Sequence, residues 1–325
     1  MFKSIYADQL SQYYNLRSEN LSDSAGKHEL CYLKRFDSYI YEHLTSHGGL
    51  TENFISDWIG SLSGKSSSIE NEVIVIRQFL SYLGLLGERA FIPPVPKVHD
   101  DYIPYIFSDL ELEKIFVSAD NVIQKDIKAD KYLVIEFPVI IRLLYSCGLR
   151  IGETLRIDMS DVDLENGILR LINTKGDKHR LVPMSPTMTD ILTRYCMAIG
   201  IYGTNSGWLF PSFKTDDHIS DKAIKRRFEM ILKDNGIHLE SRKKYERGPC
   251  MHCMRHVFVF KSFAQSERYG RHLDESIPFL SIYLGHESIN ETSKYLKFSN
   301  ELYPESIDAF GNYMSGLLPE VDYET

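Results

Sequence analysis

Four short stretches of this 325-residue chain group side chains that together could bind an anion, move protons and supply an oxygen nucleophile. In SCGLRIGETL (146–155), Arg150 follows a Gly-Leu pair and Glu153 lies three residues on, so a helix would put both on one face. Arg150 then reads either as a cation for an oxyanion or as a surface arginine ion-paired to Glu153. Lys175 sits in the turn of NTKGDKHRLVP, as a solvated tip or as an ammonium reaching into a groove to donate a proton. HCMRH (252–256) sets His252 and Arg255 at i, i+3, again on one face, a spacing that alone is common. LGHESINETSKYL (284–296) carries His286 in a turn and Tyr295 beyond it. The bland readings there are a polar loop residue and one more buried aromatic in a chain with 20 tyrosines.

The elements that must hold these groups follow from periodicity. The first hundred residues read as helical: LCYLKRFDSYIYEHL (30–44) and the run from Ile69 to Leu86 both space their apolar residues for a helix. Ser66, Ser67 and Ser68 are expected to cap the second run, with Glu70 and Glu72 in its first turn. FIPPVPKVHDDYIP (91–104) holds four prolines in 14 residues. Proline removes donors and fixes φ, so this is an extended connector and a domain boundary. Beyond it, Ser108-Asp-Leu-Glu111 is a capping-box pattern, and YLVIEFPVIIRLLYSCGL (132–149) reads as a buried helix bent or started at Pro138. GILRLIN and KHRLVPM, on either side of TKGD, read as a hairpin. Gly285 should end one helix and Ser288 with Glu291 begin the next, with Tyr295 about two turns into it. The expected fold is mainly α with a small antiparallel β-sheet: a helical domain over 1–98, a linker over 99–104 and a mixed α+β domain over 105–325.

Composition bounds the function. Hydrophobic content of 43% and charged content of 25% are ordinary for a soluble globular protein. No apolar run approaches the roughly 20 residues of a membrane span. The start, MFKSIYADQLSQYYN, lacks the apolar core of a secretory signal, so a cytoplasmic location is expected. Five cysteines do not make a disulfide framework. Cys250 and Cys253 form a C-x-x-C near His252 and His256, yet no second ligand pair lies at zinc-site spacing. Two half-buried thiols on a helix are expected there, with a zinc-dependent interaction protein as the rival reading. Net charge of −8 opposes nucleic-acid binding until its distribution is considered. From Lys222 to Arg247 there are nine Lys/Arg against four Asp/Glu, and from Arg170 to Arg180 four against one. From Asn300 onward six acids stand with no base. A basic face with an acidic tail suits DNA binding, as it suits a solvated charged helix.

Order and spacing join the four stretches. Arg150, the turn Lys175, His252-x-x-Arg255, and Leu284-Gly285-His286 with Tyr295 nine residues later resemble the tyrosine recombinase, or phage integrase, family over roughly 105–300. The helical first domain with its Pro-rich linker resembles that family's core DNA-binding (SAM-like) domain. Cys253 and Met254 depart from the family's commoner pair between His and Arg but remain apolar. The resemblance implies a site-specific recombinase that cleaves and rejoins DNA through a 3′-phosphotyrosyl intermediate, without metal or other cofactor. A leader too short for an accessory-site module points to a mobile-element or chromosome-resolution type. By the resemblance, Arg150, Lys175, His252, Arg255, His286 and Tyr295 fill the catalytic set, with Glu153 supporting Arg150.

The residue types suit that reaction. Negative charge grows on a phosphodiester's non-bridging oxygens as a nucleophile adds, and Arg150 and Arg255 could clamp them while staying charged. A phenol of pKa about 10 needs help to lose its proton, so Tyr295 as nucleophile asks for a base, His252. Lys175 would protonate the departing 5′-oxygen and His286 would position the phosphate. Implied partners are double-stranded DNA with inverted-repeat core sites and a homotetramer, or a related recombinase, with no membrane. Phosphate contacts are expected from Lys65 and Arg77 in the first domain, and from Lys222, Lys225, Arg226, Lys243 and Lys244 in the second. An apolar stripe of Ile307, Phe310, Met314 and Leu317 could dock on a neighbour or on its own domain. A type IB topoisomerase shares the chemistry without choosing a site, and a non-catalytic relative would keep only the fold and basic face.

Overall fold

A computed structural model describes residues 2–21, 23–44, 49–97, 104–121, 131–174, 178–238, 248–286 and 288–293. The chain separates into two units, Met1–Asp101 and Tyr102–Thr325, each with its own apolar core.

The first unit is four helices: α1 (Ala7–Ser18), α2 (Asp23–His43), α3 (Glu52–Ser61) and α4 (Ser66–Leu85). Thr51 caps α3 by accepting the Phe54 N–H at 3.3 Å. Leu10, Leu33, Phe36, Ile40, Trp58, Ile76 and Phe79 fill the centre, with Phe36 edge-on to Trp58 at 4.8 Å. Asp37 accepts the main-chain N–H groups of Lys3 and Ser4 at 2.7 and 2.9 Å, which ties down the chain start. The serine run does not cap α4. Lys65 holds the N-cap position in extended conformation, and Ser66–Ser68 already form the first turn. Glu72 is therefore beyond the first turn, buried, and paired with Arg35 at 2.9 Å rather than with the helix dipole.

The second unit begins with α5 (Asp109–Asp120), opened by the capping box of Ser108 and Glu111, and α6 (Leu133–Cys147). Helix α6 is the spine of this unit. Phe137, Ile140, Ile141, Leu143 and Leu144 are buried along it. It starts five residues before Pro138, which lies inside it. A proline there only withdraws the donor that Val134 would otherwise receive, and burial of the apolar residues around it carries the helix through. After α6 come α7 (Ile151–Leu155), a 3-10 turn (Met159–Asp161), and strands β1 (Val162–Asp163), β2 (Ile168–Thr174) and β3 (Lys178–Pro183). The sheet is antiparallel in the order β1-β2-β3, with Leu169 opposite Val182 and Leu171 opposite Arg180. Strand alternation thus aims Arg180 at the core, on the face of Leu169, Leu171 and Val182, while Ile172 and Leu181 lie exposed. Helices α8 (Pro186–Ile199), α9 (Asp221–Asp234), α10 (Cys253–Arg268), α11 (Leu273–Leu284) and α12 (Ile289–Ser293) complete the unit, which is mainly α with a small antiparallel sheet. Among the described residues no helix is long and apolar enough to cross a membrane.

Gly148 ends α6 with φ 60°, and a Cβ placed there would lie 2.4 Å from the Phe258 ring on α10. Both the backbone conformation and the space demand glycine. Gly148→Ala should therefore cost about 2–4 kcal/mol, from positive φ plus overpacking. Gly200→Ala, with φ 77° but open space around the added carbon, should cost only about 1 kcal/mol. Chemical denaturation of both variants checks the difference; equal losses would remove the steric part of the argument.

Candidate active site

The turn after α6 places the first arginine. Arg150 occupies the N-cap position of α7 in extended conformation, and Glu153 folds back to accept its main-chain N–H at 3.1 Å and its Nη1 at 2.8 Å. The same carboxylate accepts from Arg180 on β3, at 2.8 and 3.4 Å. Burial alone would raise the Glu153 carboxyl, but hydrogen bonds and charge from Arg180 and Arg150 outweigh it and hold it below the ordinary value. One anion is shared by two cations.

The second arginine comes from the first turn of α10. Arg255 is 1% exposed. Its Nη1 donates to the Gly148 carbonyl at 2.7 Å and its Nη2 to the Leu284 carbonyl at 2.8 Å. Its Nη2 also lies 3.1 Å from Nε2 of His286. Since a guanidinium can only donate, this Nε2 accepts, and the neutral ring carries its proton on Nδ1, which donates to Thr292 Oγ1 at 2.6 Å. Burial, then the charges of Arg255, Arg150, Arg180 and His252, depress the His286 pKa to about 3. In this arrangement His286 is a neutral acceptor, so donating to a phosphate requires it to change partners.

His252 stands exposed at the N-cap position of α10, its ring perpendicular to that of His256 at 4.8 Å. Cys253 is buried in the first turn of α10, whereas Cys250 precedes the helix and is exposed, with the two sulfurs 3.7 Å apart. The expected pair of half-buried thiols on one helix is thus corrected: only one of them is helical and buried. Met254 is buried like Cys253, which explains the apolar pair between His252 and Arg255.

The structure therefore brings Arg150, Glu153, Arg255, His286 and His252 into one neighbourhood. Lys175 and Tyr295 lie outside the described residues, between β2 and β3 and just after α12, respectively. Lys222, Lys225 and Arg226 are exposed on α9, with Lys225 bonded to Asp221 at 2.7 Å. Lys65 and Arg77 are half-buried at the start and middle of α4, and Lys243, Lys244 and the 307–317 stripe are outside the described residues. Sequence reading missed Arg180 and Thr292. It also missed a cleft of about 550 Å³ beside Arg150, lined in part by Arg156, Arg170, Asp158 and Trp208. The alternation of K-H-R-L-V in β3 held the signal for Arg180, since Arg180 shares the parity of buried Val182.

A family model for the phage integrase family matches residues 111–301. The chain belongs to the phage integrase family. Its members cleave and rejoin DNA through a phosphotyrosine intermediate, and this chain is a site-specific recombinase of that family. Among its relatives, a putative integrase/recombinase, y4rE, of Sinorhizobium fredii is 28% identical over 93% of this chain and 94% of that protein. Tyrosine recombinase XerA of Pyrococcus horikoshii is 26% identical over 77% of each chain. In fold the chain is similar to XerH recombinase in a post-cleavage complex with its palindromic difH substrate, with a TM-score of 0.65 and 19% identity over 94% of this chain and 84% of that one. It is also similar to a lambda integrase (75–356) dimer bound to a COC′ core site, with a TM-score of 0.62 and 15% identity over 88% and 96% of the two chains.

His286 gives the integrase fold a pH signature. Its folded value of about 3 lies below the ordinary 6.5, so between those values the unfolded chain binds the extra proton and stability rises with pH. Through this group, denaturant titrations should lose on the order of 2 kcal/mol between pH 8 and pH 5. His286→Asn should lack that share of the slope. Parallel pH profiles for the two proteins would dismiss the buried neutral ring.

Proposed function

We propose that Arg150 and Arg255 clamp the scissile phosphate, that Tyr295 attacks it, and that His252 and Lys175 manage the protons of the entering and leaving oxygens. The observation that carries this reading is the junction of Arg255 with Gly148, 107 positions away, which sets two guanidinium groups at one helix end beside a histidine. Guanidinium groups stay charged and fixed while negative charge develops on the phosphate, so they stabilise the transition state more than the ground state. In this reading His252, exposed at the start of α10, takes the phenol proton, and an ammonium at position 175 protonates the 5′-oxygen. Glu153 supports Arg150 through its main-chain N–H and its guanidinium. The phosphotyrosyl ester conserves the bond energy, so a 5′-hydroxyl can reverse the step.

The substrate in this reading is double-stranded DNA with inverted-repeat core sites, of a mobile-element or chromosome-resolution system. The first unit is its core-binding domain, and Lys65, Arg77, Lys222, Lys225, Arg226, Lys243 and Lys244 contact phosphates. Four copies act together. A groove of about 1280 Å³ between α10 and α11 supports that assembly: Phe263, Leu280 and Tyr283 line it, and Phe279 on its rim is 74% exposed. The stripe of Ile307, Phe310, Met314 and Leu317 from a neighbouring copy has the length and apolar character to cover it.

Two outcomes are expected. With a nicked suicide duplex carrying the recombination site, the wild type should give an SDS-stable protein–DNA adduct in the presence of EDTA, and Tyr295→Phe should give none. An adduct surviving in Tyr295→Phe would take the nucleophile's role from that residue. Phe279→Ser should bind a single site within about threefold of wild type yet fail to form four-copy complexes by sedimentation, because burial of one phenyl ring is worth about 2 kcal/mol at each contact. Undiminished assembly would show that the groove is not an interface.

A further inference from the structure

Arg180 has no part in the reading above, yet the structure commits more of its chemistry to the site than a strand residue needs. Its side chain is 7% exposed. Its two terminal nitrogens meet both oxygens of Glu153, at 2.8 and 3.4 Å, while its Nε makes no hydrogen bond among the described residues. Its guanidinium also occupies the space where a side chain at Gly285 would begin. A Cβ at that glycine would lie 2.8 Å from Nη1 and 3.2 Å from Cζ, and the backbone there has φ 65°. One planar group thus bonds the carboxylate that holds Arg150 and lies beside the residue that precedes His286.

We infer that Arg180 is a positioning residue for strand cleavage, holding Glu153 so that Arg150 keeps charge to offer a phosphate, and bracing the Gly285 turn that carries His286. This rests on the assignment of Arg150 as part of the phosphate clamp. The argument is one of local charge. Glu153 is one anion between two cations, so the group Arg150–Glu153–Arg180 carries a net positive charge. Without Arg180, Glu153 and Arg150 become a neutral one-to-one pair, and the carboxylate is drawn onto the guanidinium that should face the substrate. A purely structural ion pair would predict that the double removal rescues folding, but not the cleavage rate of the folded protein at saturating DNA.

The test compares the full chain with Arg180→Met, which keeps volume and loses charge, and with Glu153→Gln/Arg180→Met, which removes both charges. The readout is single-turnover adduct formation on the nicked suicide duplex, with DNA affinity measured in parallel. Arg180→Met should cleave about 10–100-fold more slowly at saturating DNA, with affinity within about threefold, the split expected of misplacement at the reacting centre. The double variant should recover at least about tenfold, since Arg150 is again an uncompensated cation. No recovery, or a loss confined to affinity, would overturn the inference. Should Arg180→Met fail to fold, the double variant, free of an unpaired buried charge, carries the comparison: cleavage below that of Glu153→Gln alone sinks the proposal, and cleavage at or above it supports it.

A second arm needs no cleavage. In crystals of Arg180→Met, or of the double variant if that fails, the Gly285–His286 turn should shift into the vacated space, and in Arg180→Met Glu153 should also become bidentate to Arg150. An unmoved turn refutes the bracing role. Absence of adduct from the wild type would instead count against the assignment of the clamp, and the crystals would still decide whether Arg180 holds Glu153 and Gly285.

Discussion

A guanidinium taken out of water loses hydration worth several kcal/mol, and a protein retains it only where acceptors replace that hydration. At Arg255 the replacement comes from main-chain carbonyls at the C-terminal ends of two helices, Gly148 after α6 and Leu284 in α11. Helix C-termini carry partial negative charge and unpaired carbonyls, so they solvate a cation without cancelling its full charge. One side chain in the first turn of α10 thereby joins three helix ends. The positions of Arg150, two residues past Gly148, and of His286, two past Leu284, follow from that junction.

Around it the charges are kept unequal. Glu153 lies between Arg150 and Arg180, and His286 is held neutral by burial and by the cations facing it. The result is an excess of fixed positive charge in a semi-buried pocket, in a chain whose net charge is −8. The low overall charge therefore says little about this site, because a few buried guanidinium groups in a low-dielectric setting act more strongly on a nearby phosphate than many solvated lysines. The hydrogen bond from His286 to Thr292 also links the arginine cluster to α12.

Much of this was legible in the sequence because the local signals are strong. The Ser108–Glu111 box, the apolar run of α6, the two strands flanking TKGD and the glycine ending α11 each depend on neighbours a few residues away, and each appears in the structure. The start of α4 was misread because three serines suggested a cap, whereas the extended backbone ends one residue earlier, at Lys65. Of the two readings of Pro138, a start there is overturned, since α6 begins five residues earlier at Leu133. Arg150, Arg255 and His286, grouped in sequence by their order, lie in one neighbourhood, but Arg180 was not grouped with them. Its importance comes from Glu153 and Gly285, 27 and 105 positions away, and no local pattern reports such contacts.

The contact between Arg180 and Gly285 also bears on how such an enzyme can change over time. An added Cβ at Gly285 would meet the Arg180 guanidinium at 2.8 Å, and the left-handed turn there adds a cost for any side chain. Substitutions at 285 are thus costly regardless of which DNA the protein acts upon. Change at low cost is open instead to solvent-facing positions such as Lys222, Lys225 and Arg226 on α9.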